Sequence, residues 1–175
     1  MPTDAGNANR GEMAIRRYTA ADWEDVCHIH DESRVQELFS GGVDPRAFRT
    51  MAEVAQSDEF FASETLLAYA GESIAGFISW NGAYITWLYV LPAYQRRGIG
   101  RRLLDEALRR IGPHAWTNII AGNEPALAVY RAFGMEPVWT RPADCEGYVC
   151  NMTRLALPDS PMRDPSMRRE PRRKS

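Results

Sequence analysis

The chain has 175 residues, 45% hydrophobic and 25% charged, with a formal net charge of −2. That is the composition of one ordinary globular domain with enough length to bury a real core. No apolar run approaches a membrane span and the N-terminus is too polar for a signal peptide, so a cytoplasmic protein with no membrane partner is the expectation.

In chain order, residues 1–12 are polar and expected to be flexible. A first strand is predicted over 15–19, and Ala20-Ala21-Asp22 leads into a helix through about Ser33. Gly41-Gly42 and Pro45 break the chain before a second helix, predicted over about 45–56. Residues 65–70, Gly71-Glu72 and 73–80 form a hairpin pattern, and Asn81-Gly82 is a turn signal before a strand over 84–90. His28 and His30 would point to different sides of their helix and His114 stands alone, so no metal site is predicted. Cys27, Cys145 and Cys150 are odd in number and lack metal-ligand spacing, which suggests reduced thiols rather than a disulfide framework.

The run Val90-Leu91-Pro92-Ala93-Tyr94-Gln95-Arg96-Arg97-Gly98-Ile99-Gly100-Arg101-Arg102 is the most informative segment. A strand stops at Pro92, and a loop rich in Arg and Gly opens a helix. Leu103, Leu104, Ala107, Leu108 and Ile111 form its apolar stripe, Asp105/Arg109 and Glu106/Arg110 form i,i+4 pairs, and Gly112-Pro113 ends it. The first amides of such a helix have no partner within it, and Gly98 and Gly100 clear their approach. The loop is therefore suited to a phosphate or pyrophosphate. It is not a Walker loop, because no Gly-Lys-Ser/Thr follows, and it lacks the third glycine of a dinucleotide fingerprint. After a strand over 115–121, Asn123-Glu124-Pro125-Ala126-Leu127-Ala128-Val129-Tyr130-Arg131-Ala132-Phe133-Gly134 forms a second self-contained helix: Asn123 is a good N-cap and Gly134 suits the C-terminal αL position. Two more strands are predicted near 136–140 and 148–154.

The loop Gln95-Arg96-Arg97-Gly98-Ile99-Gly100-Arg101, followed by Asn123, Ala126, Tyr130 and Gly134 at their spacing, resembles the GNAT superfamily of N-acyltransferases over about residues 15–155. The resemblance implies an α/β (α+β) GNAT fold, a mixed central sheet of about seven strands flanked by about four helices, spanning residues 13–157. It implies acetyl-CoA as co-substrate and a primary amine as acceptor, without a metal. The implied cofactor residues are Leu88, Tyr89 and Val90 for the pantetheine arm, with the Val90 amide near the thioester oxygen. Gln95, Arg96, Arg97, Gly98, Ile99, Gly100 and Arg101 would take the pyrophosphate, Asn123 would contact the cofactor arm or serve as a plain N-cap, or both, and Tyr130 would stand on the helix that flanks the thioester. Tyr130 is the implied general acid, because a phenol is protonated at neutral pH and can donate to the departing sulfur.

Where relatives carry a basic glutamate, this chain has Tyr84 and Asn118, so the base is left open among ordered water, Glu32, Asp144 and Glu146. Trp80, Tyr84, Trp87, Tyr89 and Trp139 belong to strands that border the acceptor groove or the core. A small amine is favoured as acceptor over a peptide N-terminus or an aminoglycoside, a homodimer is allowed, and a non-catalytic coenzyme A-binding module is the competing class. Residues 158–175 carry four prolines, six basic and three acidic residues and are expected to be a disordered basic tail. The body before it has 15 basic and 20 acidic residues, a charge of −5, which favours cationic substrates over nucleic acid.

Overall fold

The computed structural model describes residues 13–57 and 59–168. Seven strands form one sheet: β1 (Met13–Arg17), β2 (Glu64–Ala70), β3 (Ser73–Asn81), β4 (Tyr84–Val90), β5 (Trp116–Ile120), β6 (Glu136–Cys145) and β7 (Tyr148–Ala156). Their order across the sheet is β1-β2-β3-β4-β5-β7-β6. All neighbours are antiparallel except β4 and β5. The helices are α1 (Trp23–Ser40), the single turn α2 (Met51–Val54), α3 (Ile99–Ile111) and α4 (Glu124–Arg131). This is the mixed sheet of seven strands with four helices that the motifs imply.

Strand alternation divides the core into two layers. Leu66, Ile78 and Ile85 pack against Ile99, Leu103 and Leu104 of α3 and Tyr130 of α4. Leu67, Phe77 and Trp87 pack on the other face, against Val26 and Ile29 of α1 and Met51 and Val54 of α2. Ile85 and Trp87 are two residues apart, yet they face opposite layers. The cause is a bulge: Ser79 pairs with Trp87 and Trp80 with Ile85, which leaves Thr86 as an extra residue. One inserted residue reverses the side on which every later side chain falls.

Helix α1 runs seven residues beyond its expected end at Ser33 and stops where Gly41 meets β5. A Cβ on Gly41 would collide with the Ile120 side chain, so a larger residue there would force Ile120 to move. The second predicted helix is instead a 3-10 turn, Pro45–Ala47, and the short α2, separated by extended Phe48. A tie across the helices explains the break: the Met51 amide donates to the Asp31 carboxylate at 2.7 Å.

Two expectations are corrected. Cys145 and Cys150 form a disulfide, with Cα atoms 5.9 Å apart, and only Cys27 is free among the described residues. Strand β6 continues past Thr140 to Cys145 and turns through Glu146 and Gly147, both at positive φ (54° and 84°), as a two-residue hairpin demands. Cys145 pairs with Tyr148 and Cys150 with Ala143, so the two cysteines are diagonal neighbours on one face. The segment from Pro158 also has a fixed course through Arg168. Ser160 Oγ donates to the His114 carbonyl at 2.8 Å, Met162 is buried, and an Arg154 guanidinium nitrogen donates to the Met167 carbonyl at 2.8 Å. Residues 1–12 and 169–175 lie outside the described residues, as do the expectations for them.

The start of α1 is held by charge. Arg16 of β1 donates to both Asp22 carboxylate oxygens, at 2.8 and 2.6 Å, and the Thr19 amide and hydroxyl donate to the same group at 2.7 and 2.9 Å. The Arg16 hydrogen bonds hold the Asp22 carboxyl well below the usual carboxylate range against the opposing effect of burial. A depressed folded-state pKa contributes stability that is complete above the unfolded value and is lost as the pH falls through the folded one. Asp22→Asn should therefore lower the urea midpoint at neutral pH, and the gap to wild type should close only as the pH drops below about 4. Urea titrations at neutral and acidic pH check this; a gap that is constant down to the acid limit contradicts it.

Candidate functional site

Strands β4 and β5 run in parallel but pair at only two positions, Tyr84 with Trp116 and Ile85 with Thr117. Past Thr86 they diverge, and the fork between them is the site. The Leu91 amide donates to the Ala75 carbonyl on β3 at 2.9 Å. Backbone groups alternate sides along a strand, so those of Leu88 and Val90 face the fork instead of a strand partner. Gly76 holds this edge in place: a Cβ there would lie 2.6 Å from the Tyr89 carbonyl oxygen.

A groove of about 340 Å³ fills one side of the fork. It is lined by Leu88, Tyr89, Val90, Gln95, Arg96, Ile99, Gly100, Asn123 and Tyr130 among the expected cofactor residues; Arg97, Gly98 and Arg101 are not in its wall. Gly98 instead caps α3 at φ 81°, and Arg96 just before it also has a positive φ, of 61°. The first helical bond in α3 runs from the Arg102 amide to the Gly98 carbonyl at 3.1 Å, so the amides of Ile99, Gly100 and Arg101 have no acceptor within the helix. The Arg97 guanidinium lies over the Tyr94 ring, 5.4 Å from its centroid. The Gln95 side chain locks the loop to the strand, donating to the Val90 carbonyl at 3.0 Å and to Gln36 at 2.9 Å. Asn123 does cap α4, accepting from the Ala126 amide at 3.3 Å, while it also lines the groove.

Tyr130 is buried at the fork, 4% exposed, beside the Thr117 hydroxyl, which itself donates to the Ile85 carbonyl at 2.9 Å. Burial raises its phenol well above the ordinary tyrosine range, so it is a proton donor at every physiological pH. Tyr89 is raised in the same way, first by burial and then by the negative charge of Glu37.

A second cavity, about 360 Å³, opens on the other side of the fork. Its wall includes His30, Arg34, Arg49, Tyr84, Asp144 and Glu146. His30 is buried, with its Nδ1 2.8 Å from Asp31, and burial lowers its pKa so that the ring is neutral. Among the described residues, five belong to both cavities: Glu37, Thr86, Trp87, Tyr89 and Asn118. The Thr86 hydroxyl and the Asn118 side-chain oxygen are buried at this junction without a hydrogen-bond partner in the protein. Among the described residues Glu37 is the only carboxylate in the groove wall, and the sequence reading missed it because it ended α1 too early. The signal was present: Arg34 and Glu37 form an i,i+3 pair, and Gly41-Gly42 marks a later helix stop.

Of the other expected residues, Asp144 and Glu146 reach the second cavity, while Glu32 lines a separate surface hollow with Asp25 and His28. Trp80 is buried in the α3-side core. Trp139 lies outside both cavities, with the Arg141 and Arg154 guanidiniums 5.0 and 4.6 Å from its ring centroid.

The groove fits a long thiol cofactor bearing a pyrophosphate. The backbone groups of Leu88 and the amide of Val90, left without a strand partner, suit an amide-containing arm, and the free amides of α3 with Arg96 suit the phosphates.

The acetyltransferase (GNAT) family matches residues 23–135. The N-alpha-acetyltransferase RimI of Mycobacterium tuberculosis is 41% identical over 78 residues, 44% of this chain and 49% of that protein. A mycothiol acetyltransferase of Corynebacterium glutamicum is 30% identical over 93 residues, 48% of this chain and 32% of that protein. The chain thus matches about half of the first relative's length and a third of the second's. A putative acetyltransferase from Salmonella typhimurium, solved with its cofactor acetyl-CoA, superposes with a TM-score of 0.63 at 19% identity, covering 83% of this chain and 92% of that one. At that identity the likeness speaks for the fold.

The close contact at Gly76 makes a direct test of the fork. Gly76→Ala should push the Tyr89–Val90 backbone, cost about 1–3 kcal/mol of stability by overpacking, and weaken coenzyme A binding. Chemical denaturation and a coenzyme A titration read the two effects; wild-type values in both contradict the role given to Gly76.

Proposed function

The chain belongs to the acetyltransferase (GNAT) family, and on that premise we propose that it moves the acetyl group of acetyl-CoA onto the primary amine of a small molecule, by direct attack in a ternary complex. The observation that carries this reading is the meeting of two cavities at the β4–β5 fork, one suited to the cofactor and the other open to an acceptor. Acetyl-CoA supplies the activated acetyl thioester. The protein's own residues do the rest.

The Val90 amide faces the fork and is placed to donate to the oxygen that gains negative charge, the role of an oxyanion donor. Its carbonyl is already engaged by Gln95 and Ser33, at 3.0 and 3.3 Å, which holds the strand rigid as the reaction proceeds. Tyr130 keeps its proton because it is buried and gives it to the departing sulfur. Holding both reactants on either side of one fork supplies proximity and orientation. The second cavity has room for a small amine, and Asp144 and Glu146 in its wall suit a cation.

A peptide amino terminus is the second reading, favoured by the likeness to RimI, whose name states N-alpha-acetylation. The deciding experiment is coenzyme A release, with mass detection of product, across tyramine, spermidine, kanamycin, aniline and a hexapeptide with a free amino terminus. Turnover of a small amine above the no-acceptor rate supports the first reading, and preference for the hexapeptide supports the second. Tight acetyl-CoA binding without any turnover returns the chain to a binding module.

Tyr130→Phe should lower turnover by about 100-fold, within the range of general acid catalysis, and leave the acetyl-CoA affinity within about twofold, since it loses one hydroxyl and keeps its packing. Steady-state kinetics and an acetyl-CoA titration check this. Full turnover in the variant removes Tyr130 from the chemistry.

A further inference from the structure

The reaction needs a group that takes a proton from the acceptor, because an aliphatic amine is an ammonium ion at neutral pH and has no lone pair to attack with. Such a group must touch the cofactor groove and the acceptor cavity at once. Five residues do so, and Thr86, Trp87, Tyr89 and Asn118 accept no proton at neutral pH. The fifth is Glu37. Asp144 and Glu146 line only the acceptor cavity, and Glu32 lines neither.

We propose that Glu37 is the general base of the transfer, a reading that rests on the acetyltransferase function proposed above. Its carboxylate is 15% exposed, accepts from Arg34 at 2.7 Å and receives the Tyr89 hydroxyl. These two donors fix its orientation. A carboxylate has about four acceptor positions, so two donors leave it room for an ammonium proton.

The charged and titratable groups around it come from every packed element. Arg34 and neutral His30 lie on its own helix, and Arg49 follows on the chain before α2. Tyr84 and Tyr89 come from β4, Tyr130 from α4, and Asp144 and Glu146 from the β6–β7 hairpin. Tyr89 beside Glu37 and Tyr130 across the groove are held protonated by burial, so neither competes for the proton.

The step balances as follows. The ammonium gives one proton to Glu37, and the freed lone pair forms the N–C bond to the acetyl carbon. The C–S bond breaks with its electron pair leaving on sulfur, which takes the proton of Tyr130. The second amine proton restores the Tyr130 phenol, and Glu37 releases its proton to solvent. The products are the amide, coenzyme A and one proton.

Glu37→Gln removes the basic site while keeping size and hydrogen-bonding capacity, and Glu37→Asp keeps the charge. Each is compared with wild type from about pH 6 to about pH 10, with tyramine and spermidine as ammonium acceptors and aniline as a neutral one. Titrations with acetyl-CoA and with tyramine accompany the kinetics. With Glu37→Gln, turnover of tyramine or spermidine at neutral pH should fall about 100-fold or more. It should recover by about tenfold per pH unit as free amine accumulates. Aniline should lose far less, acetyl-CoA affinity should hold within twofold, tyramine affinity at neutral pH should weaken, and Glu37→Asp should restore part of the rate. A pH profile parallel to wild type, or an equal loss with aniline, overturns the base and leaves Glu37 as a support for Tyr89 and Arg34. Loss of acetyl-CoA binding in both variants overturns it too, since the groove itself has then failed. If wild type transfers to none of these three acceptors, the small-amine reading falls first and this assignment with it.

Discussion

The parting of β4 from β5 after two paired residues is the constraint on which everything else depends. A sheet normally satisfies each backbone group with its neighbour, and an interior edge left open is costly unless something else occupies it. Here the bulge at Thr86 bends β4 away and turns Ile85 and Trp87 to opposite core layers, so the open edge is bought with ordinary packing on both faces. The groups of Leu88 and Val90 are thereby kept in a sheet-like geometry with no strand beside them. A ligand with amide groups can complete the ladder that β5 does not.

Around this fork three helix ends converge. The start of α3 presents its free amides below the groove, and Gly98 and Arg96 take the left-handed backbone that the tight loop needs. The start of α4 carries Asn123 and, two turns on, Tyr130. The last turns of α1 bring Glu37 between the two cavities, and Gly41 lets that helix come close enough to Ile120 to do so. Burial then assigns chemistry without further machinery. It disfavours the charged form of a phenol and leaves Tyr130 and Tyr89 as donors, whereas Glu37 accepts hydrogen bonds from Arg34 and Tyr89.

Helix α3 and its loop were legible because their signals are local. The stripe of Leu103, Leu104 and Ala107, the pair Glu106/Arg110 (2.8 Å in the structure) and the Gly112 stop are all set by neighbours within a few residues. The same holds for α4 and for the hairpins around Gly71 and Gly82. Helix α1 was harder to delimit, because its second half, Arg34 to Ser40, mixes exposed Val35 and Phe39 with a charged pair and has no clean apolar stripe. The break at Phe48 was hidden for a related reason: the Asp31–Met51 bond that organises it joins residues twenty apart. Pairing of Cys145 with Cys150 and anchoring of the segment after Pro158 likewise depend on a register and on partners remote in sequence.

The sequence by itself determined the family, the order of strands and helices, the phosphate-suited loop and the position of Tyr130, since each is written in turn chemistry, capping and short-range periodicity. Only the tertiary structure decided where β4 and β5 part, which aromatic residues are core and which are wall, and that Glu37 stands between two cavities. Those outcomes depend on one bulge residue and on a glycine that lets α1 approach β5, and on contacts between residues that are neighbours only after the chain has folded.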